Sequence, residues 1–178
     1  RRKLDRPSLL RAHVGRHEKL GHGHFMLRLA APAIAGTVEA GQFVMLGLPD
    51  IEEMLIRRPF SVARVARPAA GGQAEELDLL YKVFGRGTQT FSRLEAGDEV
   101  TVLGPLGHGF KLPPPHPEER FLLVAGGIGN AIYPLLLQQL GERARNATLL
   151  FGAATAADLT PVDWFRDHCG AVRLATED

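Results

Sequence analysis

The sequence predicts an antiparallel β module, a small barrel or sandwich, followed by an incomplete parallel α/β domain. Three observations predict this. Short alternating apolar runs recur as far as Phe110 with little helical periodicity between them. Four prolines within the nine residues Lys111 to Glu119 (KLPPPHPEE) then interrupt the pattern, because proline neither extends a central strand nor continues a helix. Beyond them the style changes to a continuous apolar run, a glycine turn and leucines at helical spacing.

The elements follow in order. Alternation marks strands at Phe25 to Leu29, Phe43 to Leu48, Leu77 to Phe84 and Val100 to Leu103. Turn chemistry separates them at Ala40-Gly41, Ala70-Gly71-Gly72 and Ala96-Gly97-Asp98, and one short helix is expected near Gln89 to Glu95. After the linker come a strand at Phe121 to Ala125, the turn Gly126-Gly127-Ile128-Gly129 and a helix over Pro134 to Arg143. A second strand, Thr148 to Ala153, leads to a helix at Pro161 to His168 with Thr160 as its N-cap, then a third strand at Ala171 to Ala175. This βαβαβ order implies parallel strands with right-handed crossovers, and so short a sheet would leave one face or edge uncovered. The expected division is residues 1–112, a linker at 113–119, and 120–178.

Composition narrows the function. Glycine (20) and proline (12) together exceed the roughly 12% of an average chain, which favours turns and strands over a helical bundle. Lysine plus arginine number 21 against 20 for aspartate plus glutamate, so the net charge of +1 gives no support to a nucleic-acid-binding surface. A single cysteine, Cys169, precludes a disulfide or a four-cysteine metal site within these 178 residues and reads as a packing residue. No apolar run approaches the ~20 residues of a membrane span and no leader opens the sequence, so a cytoplasmic protein without membrane contact is expected. His13, His17, His22 and His24 lack acidic or cysteine partners nearby and read as solvated side chains, with no metal site expected.

Three segments carry chemistry. In Arg57-Arg58-Pro59-Phe60-Ser61 a guanidinium suited to phosphate stands beside a fixed backbone, an aromatic ring and a hydroxyl. A solvated arginine pair at the start of a strand explains the string equally well. Tyr81-Lys82-Val83-Phe84-Gly85-Arg86-Gly87-Thr88 runs from a strand through two glycines into a helix start, an anion-binding arrangement or a simple turn capped by Thr88. Gly126, Gly127 and Gly129 would let backbone approach a diphosphate, or form only a tight strand-to-helix turn. They are not the G-x-G-x-x-G fingerprint.

Taken in order, RRPFS, YKVFGRGT, GDEVTVLGPLGHGF and LLVAGGIG resemble the ferredoxin-NADP reductase superfamily. They most resemble the electron-transfer subunits of type B dihydroorotate dehydrogenases, and the resemblance runs from about Leu10 almost to the end. It implies a flavin-binding antiparallel barrel followed by part of an NAD(P)-binding α/β domain. Arg58 would pair with the FAD diphosphate, Pro59 and Phe60 would lie against the isoalloxazine, and Ser61, the catalytic candidate, would approach N5. Leu80, Tyr81 and Lys82 match the strand bordering the flavin, Gly87 and Thr88 its diphosphate turn, and Gly126, Gly127 and Gly129 the nicotinamide-dinucleotide loop.

The implied activity is electron transfer from NAD(P)H through FAD to an iron–sulfur centre or a partner, either a catalytic dehydrogenase subunit or an iron–sulfur protein, in pyrimidine biosynthesis for the closest resemblance. Another reductase subunit, sulfide- or ferredoxin-linked, and a flavin-binding regulatory module without turnover are the alternatives. The sequence departs from the family in two ways. Asn130-Ala131-Ile132-Tyr133 intervenes before Pro134, where relatives commonly place a proline nearer the glycines. The further strands and the four-cysteine segment for a [2Fe-2S] cluster do not follow Asp178, so the sequence reads as a truncated, proteolysed or partly visible form.

Overall fold

The computed structural model describes residues 7–49, 56–67 and 72–178. Seven strands form one antiparallel sheet: β1 (Ser8–Gly21), β2 (His24–Ala30), β3 (Phe43–Gly47), β4 (Arg58–Ser61), β5 (Arg64–Ala66), β6 (Glu76–Lys82) and β7 (Glu99–Leu106). Their order across the sheet is β4-β3-β7-β1-β2-β6-β5. The two edge strands, β4 and β5, are joined by only Val62 and Ala63, so the sheet must curl until its edges meet. Ala63 N–H donates to the Asp78 carbonyl at 2.8 Å, and the Phe60 ring of β4 lies edge-on to Tyr81 of β6 at 5.4 Å. The result is a curled half-barrel.

Alternation decides what fills it. Leu27 and Leu29, Val44 and Leu46, Leu77, Leu79 and Tyr81, and Val100 and Val102 all point inward and are buried. Helix α1 (Pro32–Ala35) closes one part of the barrel with Ile34, and α2 (Arg86–Phe91) another with Phe91. Burying each such side chain contributes roughly 1.5–3 kcal/mol. The longest strand, β1, is absent from the sequence expectation because its register shifts between Val14 and Arg16 and between Lys19 and Gly21, and these irregularities scramble the alternation. The expected helix at Gln89 to Glu95 lies earlier, and the breaker Ala70-Gly71 falls outside the described residues.

Residues 113–119 hold no strand or helix. Arg143 ties this stretch down by donating to both carboxylate oxygens of Glu119, at 2.7 and 2.6 Å, and to the Pro113 carbonyl at 3.1 Å. The second half alternates β8 (Phe121–Gly126), α3 (Tyr133–Leu140), β9 (Ala147–Ala153), α4 (Val162–His168) and β10 (Ala171–Thr176), and its sheet is parallel in the order β10-β9-β8. Helix α3 buries Leu135, Leu136, Leu137 and Leu140, while Phe165 of α4 meets Phe151 of β9 at 6.2 Å. Cys169 is buried in this core, and burial pushes its thiol up to about 11. The opposite face of the sheet stays open, with Leu122 66% and Val124 62% exposed.

Two sequence expectations are corrected here. Thr160 does not cap α4: Pro161 occupies the N-cap, the Thr160 carbonyl accepts from Asn130 Nδ2 at 2.8 Å, and the Thr160 N–H donates to the Asp158 carbonyl at 2.9 Å. Nor are all the histidines solvated. His24 is 1% exposed, and His17 is held between the Leu94 carbonyl and the Tyr81 hydroxyl. Among the described residues no group of three or more metal-ligating side chains gathers, and no helix is long and apolar enough to cross a membrane.

Candidate functional site

The antiparallel pairing of β4 with β3 sets Arg58 opposite Leu46, Pro59 opposite Met45, Phe60 opposite Val44 and Ser61 opposite Phe43. Arg58 and Pro59 are exposed, Ser61 is half-buried and Phe60 is buried. The Phe60 ring is edge-on to both Tyr81 and Phe91, at 5.4 and 5.2 Å. It therefore supports β4 from inside the barrel, leaving Arg58, Pro59 and Ser61 as the parts of this segment that reach the outside.

Arg58 lies directly against the turn that follows β6. A Cβ built on Gly87 would stand 2.7 Å from Arg58 Nε, so the bare glycine backbone lets this side chain rest close against the turn. The turn is organised by Thr88, whose hydroxyl oxygen accepts the N–H of Phe84 at 2.8 Å and of Gly85 at 3.3 Å. Thr88 thus sits inside α2, at the third helical position, and reaches back to the N-cap residue Gly85. The curl of the sheet thus sets Arg58, whose guanidinium is a fork of donors, against the Gly87-Thr88 turn as one small basic cradle.

The three successive residues of β6 face different ways. Tyr81 points inward, stacked on Phe25 at 5.5 Å, and burial raises the pKa of its hydroxyl. Its oxygen is 2.9 Å from His17 Nε2, and His17 Nδ1 is 2.7 Å from the Leu94 carbonyl. Since that carbonyl can only accept, Nδ1 donates to it, and in the neutral ring Nε2 accepts from the tyrosine. Leu80 and Lys82 point outward onto the second half. Leu80 joins a buried cluster with Met26, Ala63 and Ala131, and Lys82 Nζ bonds Asp158 Oδ1 at 2.5 Å. That hydrogen bond holds the Asp158 carboxyl below its ordinary range.

At the end of β8, an added Cβ would meet nothing within 4 Å at Gly126, Gly127 or Gly129. Gly127 has φ +49°, a conformation that glycine adopts freely. The glycines open a shallow 3-10 segment, Gly127–Ile132, that runs into α3 and contains Asn130. Asn130 is fully buried, and its Oδ1 has no hydrogen-bond partner. A groove of about 1330 Å³ lies elsewhere along the seam, lined by Arg28, Arg64, Val65, Gln138 and Gln139 among others, and includes neither Arg58 nor these glycines.

Asn130, Asp158 and His17 were not among the sequence candidates. For Asn130 the signal was present, in the departure of the glycine loop from the usual proline position. Asp158 and His17 act through partners 76 and 64 residues away, which no local pattern shows.

Comparison with known proteins bears on the family and the fold. The chain is 34% identical over 154 residues to the electron transfer subunit of dihydroorotate dehydrogenase B (NAD(+)) from Desulforamulus reducens, covering 86% of this chain and 56% of that protein. The corresponding subunit from Shouchella clausii is 31% identical, with 93% and 61% covered. The chain thus spans somewhat more than half the length of these relatives. A solved NADH-dependent reduced ferredoxin-NADP oxidoreductase superposes with a TM-score of 0.77 at 26% identity, over 93% of this chain and 56% of that one. A ferredoxin reductase in carbazole 1,9a-dioxygenase, at 18% identity and TM-score 0.75, shares the fold. The domain family described as oxidoreductase FAD-binding domain matches residues 11–111, which take in all of the curled sheet but the first three residues of β1, and with it Arg58 and Gly87. With more than half of its length matched, the chain belongs to the oxidoreductase FAD-binding domain family.

Proposed function

We propose that this chain is the flavin-binding part of an electron-transfer subunit that takes electrons from NAD(P)H through FAD to an iron–sulfur centre or partner subunit. The dihydroorotate dehydrogenase B relatives support a catalytic dehydrogenase as that partner and pyrimidine biosynthesis as the setting. The observation that carries the reading is Arg58 lying on the glycine turn at Gly87, two phosphate-binding features brought together by the curl of the sheet.

The residues fit a dinucleotide flavin. Arg58 would hold the diphosphate with charge-assisted hydrogen bonds, and the Gly87-Thr88 backbone would approach it. Pro59 would bound one side of the ring system, and Ser61 would donate its hydroxyl toward the N5 edge. Phe60 and Tyr81 would hold their strands in register from within, while Leu80 and Lys82 line the side facing the second half. Gly126, Gly127 and Gly129 leave room for the backbone to approach a nicotinamide dinucleotide. When bound, flavin accepts two electrons together as a hydride and releases them singly. The chain's part is to hold the two rings in reach and keep water out. Any [2Fe-2S] cluster would be bound outside these 178 residues, whose one cysteine is buried in the core.

The functional boundaries on this reading are residues 1–112 for FAD, 113–119 as linker and 120–178 for NAD(P)H, in a cytoplasmic setting. Ser61→Ala tests the assignment of the N5 edge. Flavin retention should stay at the parent level while the rate of anaerobic flavin reduction by NADH falls by roughly 10²-fold, the scale of one positioned proton or hydrogen-bond donor. An unchanged rate contradicts the role of Ser61.

A further inference from the structure

The outward residues of β6 dock the barrel onto three separate pieces of the second half. Asp78 binds Arg28 (2.7 and 2.9 Å) and Arg64 (3.0 Å), and the Arg64 guanidinium stands 5.7 Å from the ring centre of Trp164 in α4. Leu80 meets Ala131, two residues beyond the last glycine of the loop. Lys82 reaches Asp158 in the short 3-10 turn Ala156–Asp158.

The third contact is joined to the loop by an unbroken chain of bonds. Lys82 donates to Asp158 Oδ1, and Thr155 donates to Oδ2 at 3.2 Å, which fixes the carboxylate on its own turn. The Asp158 carbonyl accepts from the Thr160 N–H, and the Thr160 carbonyl accepts from Asn130, the residue after Gly129. A strand in the barrel thereby holds the glycine loop through four side chains and one turn. His24, paired with Lys82 on the neighbouring strand, is buried with Nδ1 unbonded. Elsewhere along the seam α3 is attached by its amides: Gln138 bonds both the N–H and the carbonyl of Val65 at 3.1 Å, and Gln139 accepts from Ala40 N–H at 3.1 Å.

We propose that Asp158 is a positioning residue: through Lys82 it fixes the height of the glycine loop over the barrel, and so the distance between the nicotinamide and flavin rings. This rests on the flavin reading above for its consequence in electron transfer, but not for the latch itself. Lys82 on this view acts across the seam rather than as a direct ligand of the cofactor. Asp158→Asn removes the charge and keeps the shape, so it loosens the loop without emptying the flavin cradle.

The test uses the parent purified with its flavin, Asp158→Asn, and the exchange Lys82→Asp/Asp158→Lys. Trp164, the single tryptophan, reports on the seam. The expected result for Asp158→Asn is acrylamide quenching of Trp164 raised about twofold, and a limiting rate of flavin reduction at saturating NADH lowered about tenfold or more, with flavin content unchanged. The exchange variant should recover both. Quenching equal to the parent's in Asp158→Asn, or a loss that the exchange leaves in place, overturns the latch. A parent without flavin, or with flavin that NADH does not reduce, contradicts the functional reading instead, and the quenching comparison still decides the latch.

Discussion

Arg58 and Gly87 show how one side chain and one missing side chain allow a close approach between two distant segments. The charge comes from the arginine, and its place from the absence of a Cβ that would stand 2.7 Å from Nε. Asp78 is the opposite case, a buried carboxylate whose cost is offset by two arginines that are only 31% and 25% exposed. For His24 the compensation is outweighed. Burial, then the charge of Lys82, lowers its pKa below the ordinary 6.5, with Asp158 acting the other way. An unfolded chain therefore takes up this proton first as the pH falls. The contribution of neutral His24 to stability is full above 6.5 and is lost as the pH drops through the lowered native value. Thermal unfolding across this range should show a decline toward acid that His24→Gln flattens. The Asp158 carboxyl, held low by Lys82, contributes stability above the ordinary 3.8 that is lost only as the pH falls through its depressed value, so the two effects separate.

At the scale of elements, the turns between strands and helices set the geometry. Gly170 joins α4 to β10 under the carbonyl of Arg145: a Cβ there would stand 2.0 Å from that backbone oxygen, which cannot move without shifting β9. Gly170→Ala should therefore destabilise the protein by about 1–3 kcal/mol, the usual cost of overpacking, measured by urea titration. A loss below about 0.5 kcal/mol would mean that the α4–β10 junction yields more readily than the packing indicates.

Elements with plain periodicity were legible in the sequence: β2, β3, β6 and β8 lie within a residue or two of their expected places, and the leucines of α3 announced its buried face. Those governed by longer-range or irregular geometry were not. The bulges of β1 hide its alternation behind charged residues. Helix α2 begins at Arg86, before its expected start, because Thr88 braces the turn from inside the helix rather than capping it from outside. The cradle was legible as two motifs, but their meeting was not, since it depends on the curl that brings β4 beside β6. Phe60 illustrates the limit: its place in the motif suggested a face for the flavin, while the strand's alternation sends the ring into the core.

The two halves of the molecule differ in how they close. The barrel closes on its own apolar interior, whereas the three-stranded parallel sheet presents Leu122 and Val124 to solvent on its open face. The halves meet along the outward face of β6, so the strand that borders the flavin on the functional reading also carries the seam. This economy makes cradle and seam separable by substitution: Arg58 belongs to the first and Asp158 to the second.

Whether the Arg58–Gly87 cradle holds FAD is decided by native mass spectrometry of the parent and of Arg58→Ala. The parent should appear as the chain plus one FAD. Loss of a charge-assisted contact of roughly 1.5–3 kcal/mol should weaken retention in Arg58→Ala by one to two orders of magnitude. A parent without flavin, or an Arg58→Ala variant that keeps FAD as firmly as the parent, would rule out this role for the cradle.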